Sequence, residues 1–371
     1  MSSNWMKFKH PAGHVVSVGA CHRDPPDLAA PSYSAARWQP DGLPPFVDLC
    51  AHLTPVEDQG HAGSCTANAL AGAYEYLEKR TLDVDGRVSR LFVYWNERDL
   101  KGETDKDCGA NLGLGIQSLQ NAGACSEEIW PYDLDNLFAS PPDEAFAAGK
   151  EHTIDEAHKV TIDLHDMRHC LAEGYPFVFG LGLFDSFEKD GHNAHGRISM
   201  PTARSKAAGG HAMLCVGYSD KDKAFVVRNS WGEKWGDEGY CYIPYDYLGN
   251  AKYSHDLWTL RRAHNLDFTE GIAKDAPSSF YEDDPVSVQV PEDAPASEEE
   301  QPVEDPPAED PPAEDPPAED PPAEEPPAEE APPAEDPPAE EQQSLGELGK
   351  DLEQLGDALK DLESSLFGKK R

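Results

Sequence analysis

The sequence has no apolar run of about 18 residues, the length a membrane-crossing helix needs. Its first stretch, Met1–Ala20, holds Lys7, Lys9, His10 and His14 but no apolar segment of signal-peptide length. No membrane span is therefore expected, and the cytoplasm is the expected compartment. The eight cysteines (Cys21, Cys50, Cys65, Cys108, Cys125, Cys170, Cys215 and Cys241) form no CxxC pair and no other metal-ligand spacing. They read as reduced, mostly buried small hydrophobes and not as a disulfide framework. Histidine spacing is equally uninformative: His192 and His195 stand three apart, but among Gly, Asn and Ala that mark a loop. Neither a metal nor a cofactor is expected. Basic charge is scarce, with 31 Lys and Arg against 70 Asp and Glu for a net of −39. A chain so acidic repels phosphate backbones, which argues against a nucleic-acid partner.

The acidity is unevenly placed. Residues 264–371 carry 33 acidic and 6 basic side chains, a net of −27, which leaves −12 for the first 263 residues. It describes a tail and says little about a site. Residues 1–44, rich in Pro, His and Ala, show no sustained period and read as an extended N-terminal leader. Residues 45–263 have a globular composition. Within them Cys65–Arg80 sets Ala69, Leu70, Ala73, Tyr74 and Leu77 on one helical face, and Ile116–Asn121 and Leu164–Ala172 read as further helices. Phe177–Leu183, Met213–Tyr218, Ala224–Val227 and Tyr240–Ile243 read as strands. Helices precede strands, the order of an α+β protein with a helical half and a β half.

Residues 264–343 read as a disordered acidic linker, in which a Pro-Pro-Ala-Glu-Asp pentapeptide recurs from Val303 to Glu341. Such a segment has nothing to bury, and its prolines and like charges keep it extended. In the last segment, 344–371, Leu345, Leu348, Leu352, Leu355, Leu359, Leu362 and Leu366 recur at alternating steps of three and four. This is the pattern of an amphipathic leucine-heptad helix, opened by a Ser344/Glu347 capping box and weakened by Gly346, Gly349 and Gly356. A lone helix has no core, so its stripe needs a partner: another copy in a weak coiled coil, or a larger protein assembly to which it docks.

Chemistry concentrates around Gln59-Gly60-His61-Ala62-Gly63-Ser64-Cys65. A thiol attacks only as thiolate, and a helix N-terminus or a nearby imidazolium favours that form. Glycines precede Cys65 and a helical pattern follows it. A lone His211 leads into an apolar strand after Gly209-Gly210, and Asn229-Ser230-Trp231-Gly232 follows. An uncharged amide such as Asn229 can accept an imidazole N–H and fix the tautomer. The Gln59 amide and the Cys65 N–H could donate together to an oxyanion.

These four residues, in this order and with Asn-Ser-Trp-Gly intact, resemble the papain family of cysteine peptidases. The match covers about residues 46–262. Gly-Ser-Cys-Thr-Ala-Asn at Gly63–Asn68 is similar to the bacterial, signal-less branch. The resemblance implies a two-lobed papain-like fold, a helical lobe and an antiparallel β-barrel lobe, with the cleft between them. It implies Cys65 as nucleophile, His211 as base, Asn229 as its orienter and Gln59 as oxyanion donor. Trp231 would cover the His211–Asn229 bond, and Gly109 and Ala110, with Gly210 across the cleft, would line an extended peptide substrate. Ala62 stands where many members carry a disulfide cysteine, and Thr66 replaces the usual aromatic after the nucleophile. The same constellation also serves acyl transfer by a ligase or deamidase, and a spent peptidase scaffold could serve as a peptide-binding module. Residues 1–44 would either cross the cleft as an autoinhibitory strand or pack on one lobe.

Overall fold

The computed structural model describes residues 6–264, apart from 11–12, 27, 36–41 and 194. The expected acidic linker and leucine helix lie, from residue 265 onward, outside the described residues. The leader is more ordered than its composition suggests. Strands β1 (Met6–Lys9) and β2 (Val15–Val18) form an antiparallel hairpin, with Met6 opposite Val18 and Lys9 opposite Val15. Phe8 points inward between exposed Lys7 and Lys9, a period-two pattern too short to stand out in the sequence. Next comes β3 (Cys21–His22), and then a stretch that docks on the body: Asp24 accepts from Gly113 N and Trp258 Nε1, and Tyr33 N donates to Lys159 O.

After β4 (Phe46–Asp48) the chain builds its helical half: α1 (Cys65–Leu82), α2 (Arg90–Asp99), β5 (Ala110–Asn111), α3 (Leu112–Asn121) and α4 (Asp143–Gly149). Helix α1 is buried all round from Cys65 to Leu77. Its small residues, Ala67, Ala69, Ala71, Gly72 and Ala73, let neighbouring elements approach closely, and the four alanines among them keep helix propensity high. It ends at Asp83 in the left-handed region (φ 54°). Ser89 and Asn111 cap α2 and α3, accepting from Phe92 N and Leu114 N.

The β half runs β6 (Ile154–Val160), α5 (Leu164–Ala172), β7 (Phe177–Phe184), α6 (Ser186–Asn193), β8 (Ala207–Ser219), β9 (Ala224–Arg228), β10 (Tyr240–Pro244), α7 (Tyr245–Leu248) and β11 (Ser254–Ala263). Its seven-stranded antiparallel sheet has the order β10-β9-β8-β7-β11-β6, with β4 paired to β8; among the described residues this is an open path. The fold is α+β. Apolar residues of β7, β8 and β9 pack with α1 and α5 in one core, which includes Leu70, Leu77, Met167, Phe177, Leu214 and Val227. All eight cysteines are free thiols, and six are buried. Among the described residues no helix is long and apolar enough to cross a membrane.

Candidate active site

Cys65 is the first residue of α1 and is fully buried, 1% exposed. Burial pushes its thiol up to about 12, opposed by N–H groups of Ala212, Thr66 and Cys65 itself at the sulfur, and reinforced by the carboxyl of Glu97. The Ala212 contact brings β8 to the Cys65 sulfur, since Ala212 follows His211 directly. Register explains what faces His211. Strands β8 and β9 pair antiparallel with Leu214 opposite Arg228, so Asn229, one residue on, lies diagonal to His211 on the same face. His211 Nε2 donates to Asn229 Oδ1 at 2.8 Å, and the same oxygen accepts Ser230 N at 2.8 Å. The other ring nitrogen, Nδ1, is buried without a hydrogen-bond partner. Burial drives the His211 imidazole down to about 4, against a weaker upward pull from Asn229. Thiol and imidazole are therefore both neutral in this closed arrangement.

Trp231 is fully buried, its ring 4.9 Å from that of His211 and tilted by 32°. Trp235 and Phe187 extend the aromatic layer, with centroid distances of 5.1 and 6.0 Å to Trp231. Leader residue Phe8 adds an edge contact to Trp231 at 6.1 Å. The layer keeps water off the imidazole and its amide partner, which strengthens their hydrogen bond.

Gln59 is fully buried, and its amide is pinned at both ends. Ser230 Oγ donates to Oε1 at 2.5 Å, and Nε2 donates to Ala62 O at 2.9 Å, leaving the second N–H of that amide group for another acceptor. The loop before Cys65 is held from outside. Tyr132 OH donates to Gln59 O at 3.0 Å and meets Ser64 Oγ at 2.5 Å, and Gly63 N donates to Asp107 Oδ1 at 3.0 Å. Asp107 also accepts from Tyr94 OH at 2.6 Å, and that hydroxyl accepts Gly109 N at 3.0 Å. The loop bearing Cys65 and the wall bearing Gly109 are thus tied together. Thr66, where an aromatic is usual, donates to buried Glu97 at 2.8 Å. Ala62 is buried without a sulfur partner.

The leader runs between the two walls. Ala110 N donates to Ala20 O at 3.0 Å on one wall, and Gly19 N donates to Gly210 O at 3.0 Å on the other. Strand β3 pairs parallel with β5, Cys21 opposite Ala110. A side chain at Gly109 (φ +70°) would meet Ala20 O at 2.1 Å, and one at Gly210 would meet Cys21 O at 2.2 Å. Both walls need glycine for a backbone to lie this close. Burial, then the neighbouring Cys65, raise the Cys21 thiol well above its ordinary range.

Sequence reasoning named Gln59, Cys65, Gly109, Ala110, Gly210, His211, Asn229 and Trp231, all of which lie around this cleft. It did not single out Ser230, Tyr132 or Glu97, nor the side-chain role of Asp107, which it read only as the head of the Asp107–Ala110 backbone wall. Ser230 stood inside the Asn-Ser-Trp-Gly motif, the one signal available; the other three reach the site only through tertiary packing.

A family profile described as papain family cysteine protease matches residues 43–256. An uncharacterised peptidase C1-like protein of Acanthamoeba polyphaga mimivirus is 38% identical over 225 residues, 58% of this chain and 72% of its own length. Pro-cathepsin H of Medicago truncatula is 26% identical over 210 residues, 55% of this chain and 54% of its own. Among solved structures, xylellain, a cysteine protease from Xylella fastidiosa, is 35% identical, with a TM-score of 0.60 over 68% of this chain and 97% of that one.

Proposed function

The chain belongs to the papain family of cysteine proteases, and from that premise we propose that it cleaves peptide bonds through a thioester formed on Cys65. The His211–Asn229 hydrogen bond, beside a Cys65 sulfur that faces the Ala212 N–H, carries this reading. With the cleft open to water, the desolvation that holds both groups neutral falls, and the proton moves from Cys65 to His211 Nδ1. The thiolate attacks the substrate carbonyl carbon. The Cys65 N–H and the second amide N–H of Gln59 stabilise the oxyanion. Imidazolium then gives its proton to the leaving amine as the C–N bond breaks. Neutral His211 takes a proton from water, which attacks the thioester; the carboxylate leaves and the thiolate–imidazolium pair returns. Asn229 holds one tautomer throughout, and Ser230 holds Gln59.

The leader is the resting occupant of the cleft in this reading, and its removal is the activating event. Geometry at Gly109 and Gly210 supports this, because both walls accept only backbone at the distances seen. The test compares chains lacking residues 1–22, with Cys65 or Cys65→Ala, on a peptide library. Turnover only with Cys65 is expected, and turnover by the alanine variant refutes the assignment. Adding an amine nucleophile separates hydrolysis from acyl transfer, since a ligase would divert most of the acyl group to the amine.

A further inference from the structure

The turn of the leader hairpin brings two histidines together. His10 N donates to His14 O at 2.9 Å, and Gly13 N returns the bond to His10 O at 2.9 Å. The two imidazoles stack at 4.2 Å between centroids, with planes 22° apart. Asp58 arrives from the body of the protein, 44 residues beyond His14. Its Oδ1 accepts Gly60 N at 2.8 Å, which fixes the carboxylate, while Oδ2 lies 3.1 Å from His14 Nε2. That pair is close but not aligned as a hydrogen bond, and Nε2 of His14 has no hydrogen-bond partner. One ligating atom from each of His10, His14 and Asp58 falls within 4.8 Å of the other two.

Tetrahedral zinc, with nitrogen and oxygen donors at about 2.0–2.2 Å, holds its ligand atoms about 3.3 Å apart. The His14–Asp58 separation already matches, and a small closure of the His10 ring completes a three-donor face. Two imidazoles and one carboxylate suit Zn²⁺ or Co²⁺; magnesium and calcium demand oxygen. His14 and Asp58 also line a cavity of about 520 Å³, with Gly60, His61 and Tyr132, which leaves room for water as a fourth ligand.

We propose that His10, His14 and Asp58 form a zinc-class site that staples the leader hairpin to the loop carrying Gln59. The position makes the staple consequential. Asp58 immediately precedes Gln59, and Ser17 Oγ already donates to His61 O at 2.9 Å in the same loop. A bound ion adds bonds that exist only while the leader is seated, so metal shifts the leader toward the closed state. Binding itself stands independently of the function proposed above; only its effect on turnover rests on that reading.

The experiment uses the full chain carrying Cys65→Ala, which removes both self-cleavage and metal capture by the active-site thiol. Titration with Co²⁺ should give the intense visible d–d bands of tetrahedral coordination, and Zn²⁺ should bind one to one by calorimetry. His14→Ala and Asp58→Asn should each weaken that event at least tenfold; His14 is partly exposed, and asparagine keeps the bond from Gly60. Zinc should also slow proteolytic cutting within residues 6–22 and raise the melting temperature, both reversed by EDTA and absent in His14→Ala. Affinity that His14→Ala and Asp58→Asn leave unchanged overturns the site. Binding that leaves the cutting rate of the leader unaltered overturns the staple.

Discussion

Gly19 donates its backbone N–H to the carbonyl of Gly210 at 3.0 Å, so the leader is bonded to the residue immediately before His211. The neighbouring residue, Ala20, accepts from Ala110 on the opposite wall. Leader backbone therefore bridges both sides of the cleft through hydrogen bonds, each worth only about 1 kcal/mol net. A closure built from several such bonds and one hairpin is reversible, and on the proposed function everything that biases it acts on access to Cys65.

Removing residues 1–22 should expose that thiol, while leaving in place the part of the leader that packs on the body, such as Tyr33 against Lys159. Alkylation of Cys65 by iodoacetamide at neutral pH is expected to speed up at least tenfold, because desolvation is the largest influence holding the thiol near 12. Peptide mapping identifies the modified cysteine among the eight of the full chain and the seven left once Cys21 is removed. Equal alkylation rates with and without the segment would rule out occlusion.

Acid should open the closed form. Burial depresses the His211 imidazole from its ordinary 6.5 to about 4 while the leader is seated. An opened cleft moves it back toward the ordinary value, so the open form binds the extra proton more tightly between those limits. Opening is therefore favoured as pH falls through 6.5 and levels off near 4, with a ceiling of roughly 300-fold. Hydrogen exchange at the Gly19 and Ala110 amides, corrected for intrinsic rates and measured on Cys65→Ala, reads the change. Protection that stays constant from pH 7 to pH 5 counts against it, and His211→Asn should abolish the trend.

How much was legible follows from the kind of signal each residue carried. Helix α5 begins and ends where the pattern of Leu164–Ala172 places it, and its Asp163 cap accepts from His165 N and Asp166 N. Strand β7 was visible because it is an unbroken apolar run at the centre of the sheet. Helix α2 was not, since Arg90, Asn96, Glu97 and Arg98 look like a solvated face and are in fact buried. Arg98 is accommodated by donating to the carbonyls of Tyr94, Thr104, Lys106 and Leu137, partners supplied by the fold and not by spacing. The leader's route was equally hidden, because its hairpin is defined by pairing and its cleft contacts by backbone alone. His10 and His14 sit at a plain i, i+4 spacing, but Asp58 joins them only in three dimensions.

Ser230 should matter to catalysis without touching the reacting atoms. Its hydroxyl donates to Gln59 Oε1 at 2.5 Å, fixing which end of the amide faces the cleft. On the proposed mechanism, replacing Gln59 by alanine removes an oxyanion donor and should lower kcat by about 10²–10³-fold. Ser230→Ala leaves that donor present but unanchored, so a smaller fall in kcat, about tenfold, with little change in KM, is expected. Measurements belong on chains lacking residues 1–22, where leader release does not limit the rate. A double variant no worse than Gln59→Ala would place both residues on one path, whereas additive losses would separate them.

Glu97 gives a pH-dependent stability that can be checked without any substrate. Its carboxyl is fully buried beneath α1, accepts from Thr66 Oγ1 at 2.8 Å, and is pushed by burial up to about 8, partly offset by Thr66 and Arg98. The folded state thus holds a proton that the unfolded chain releases near 4.5. The favourable contribution is complete below that lower value and is lost as pH rises toward 8. Glu97→Gln keeps the volume and an acceptor for Thr66 but cannot ionise. The variant should match the parent's melting temperature near pH 4.5 and exceed it increasingly between pH 6 and 8. The parent's negative slope over that window should flatten in the variant. Two melting curves that stay parallel from pH 4.5 to pH 8 would mean that Glu97 is already ionised in the folded protein, with Arg98 and Thr66 outweighing its burial.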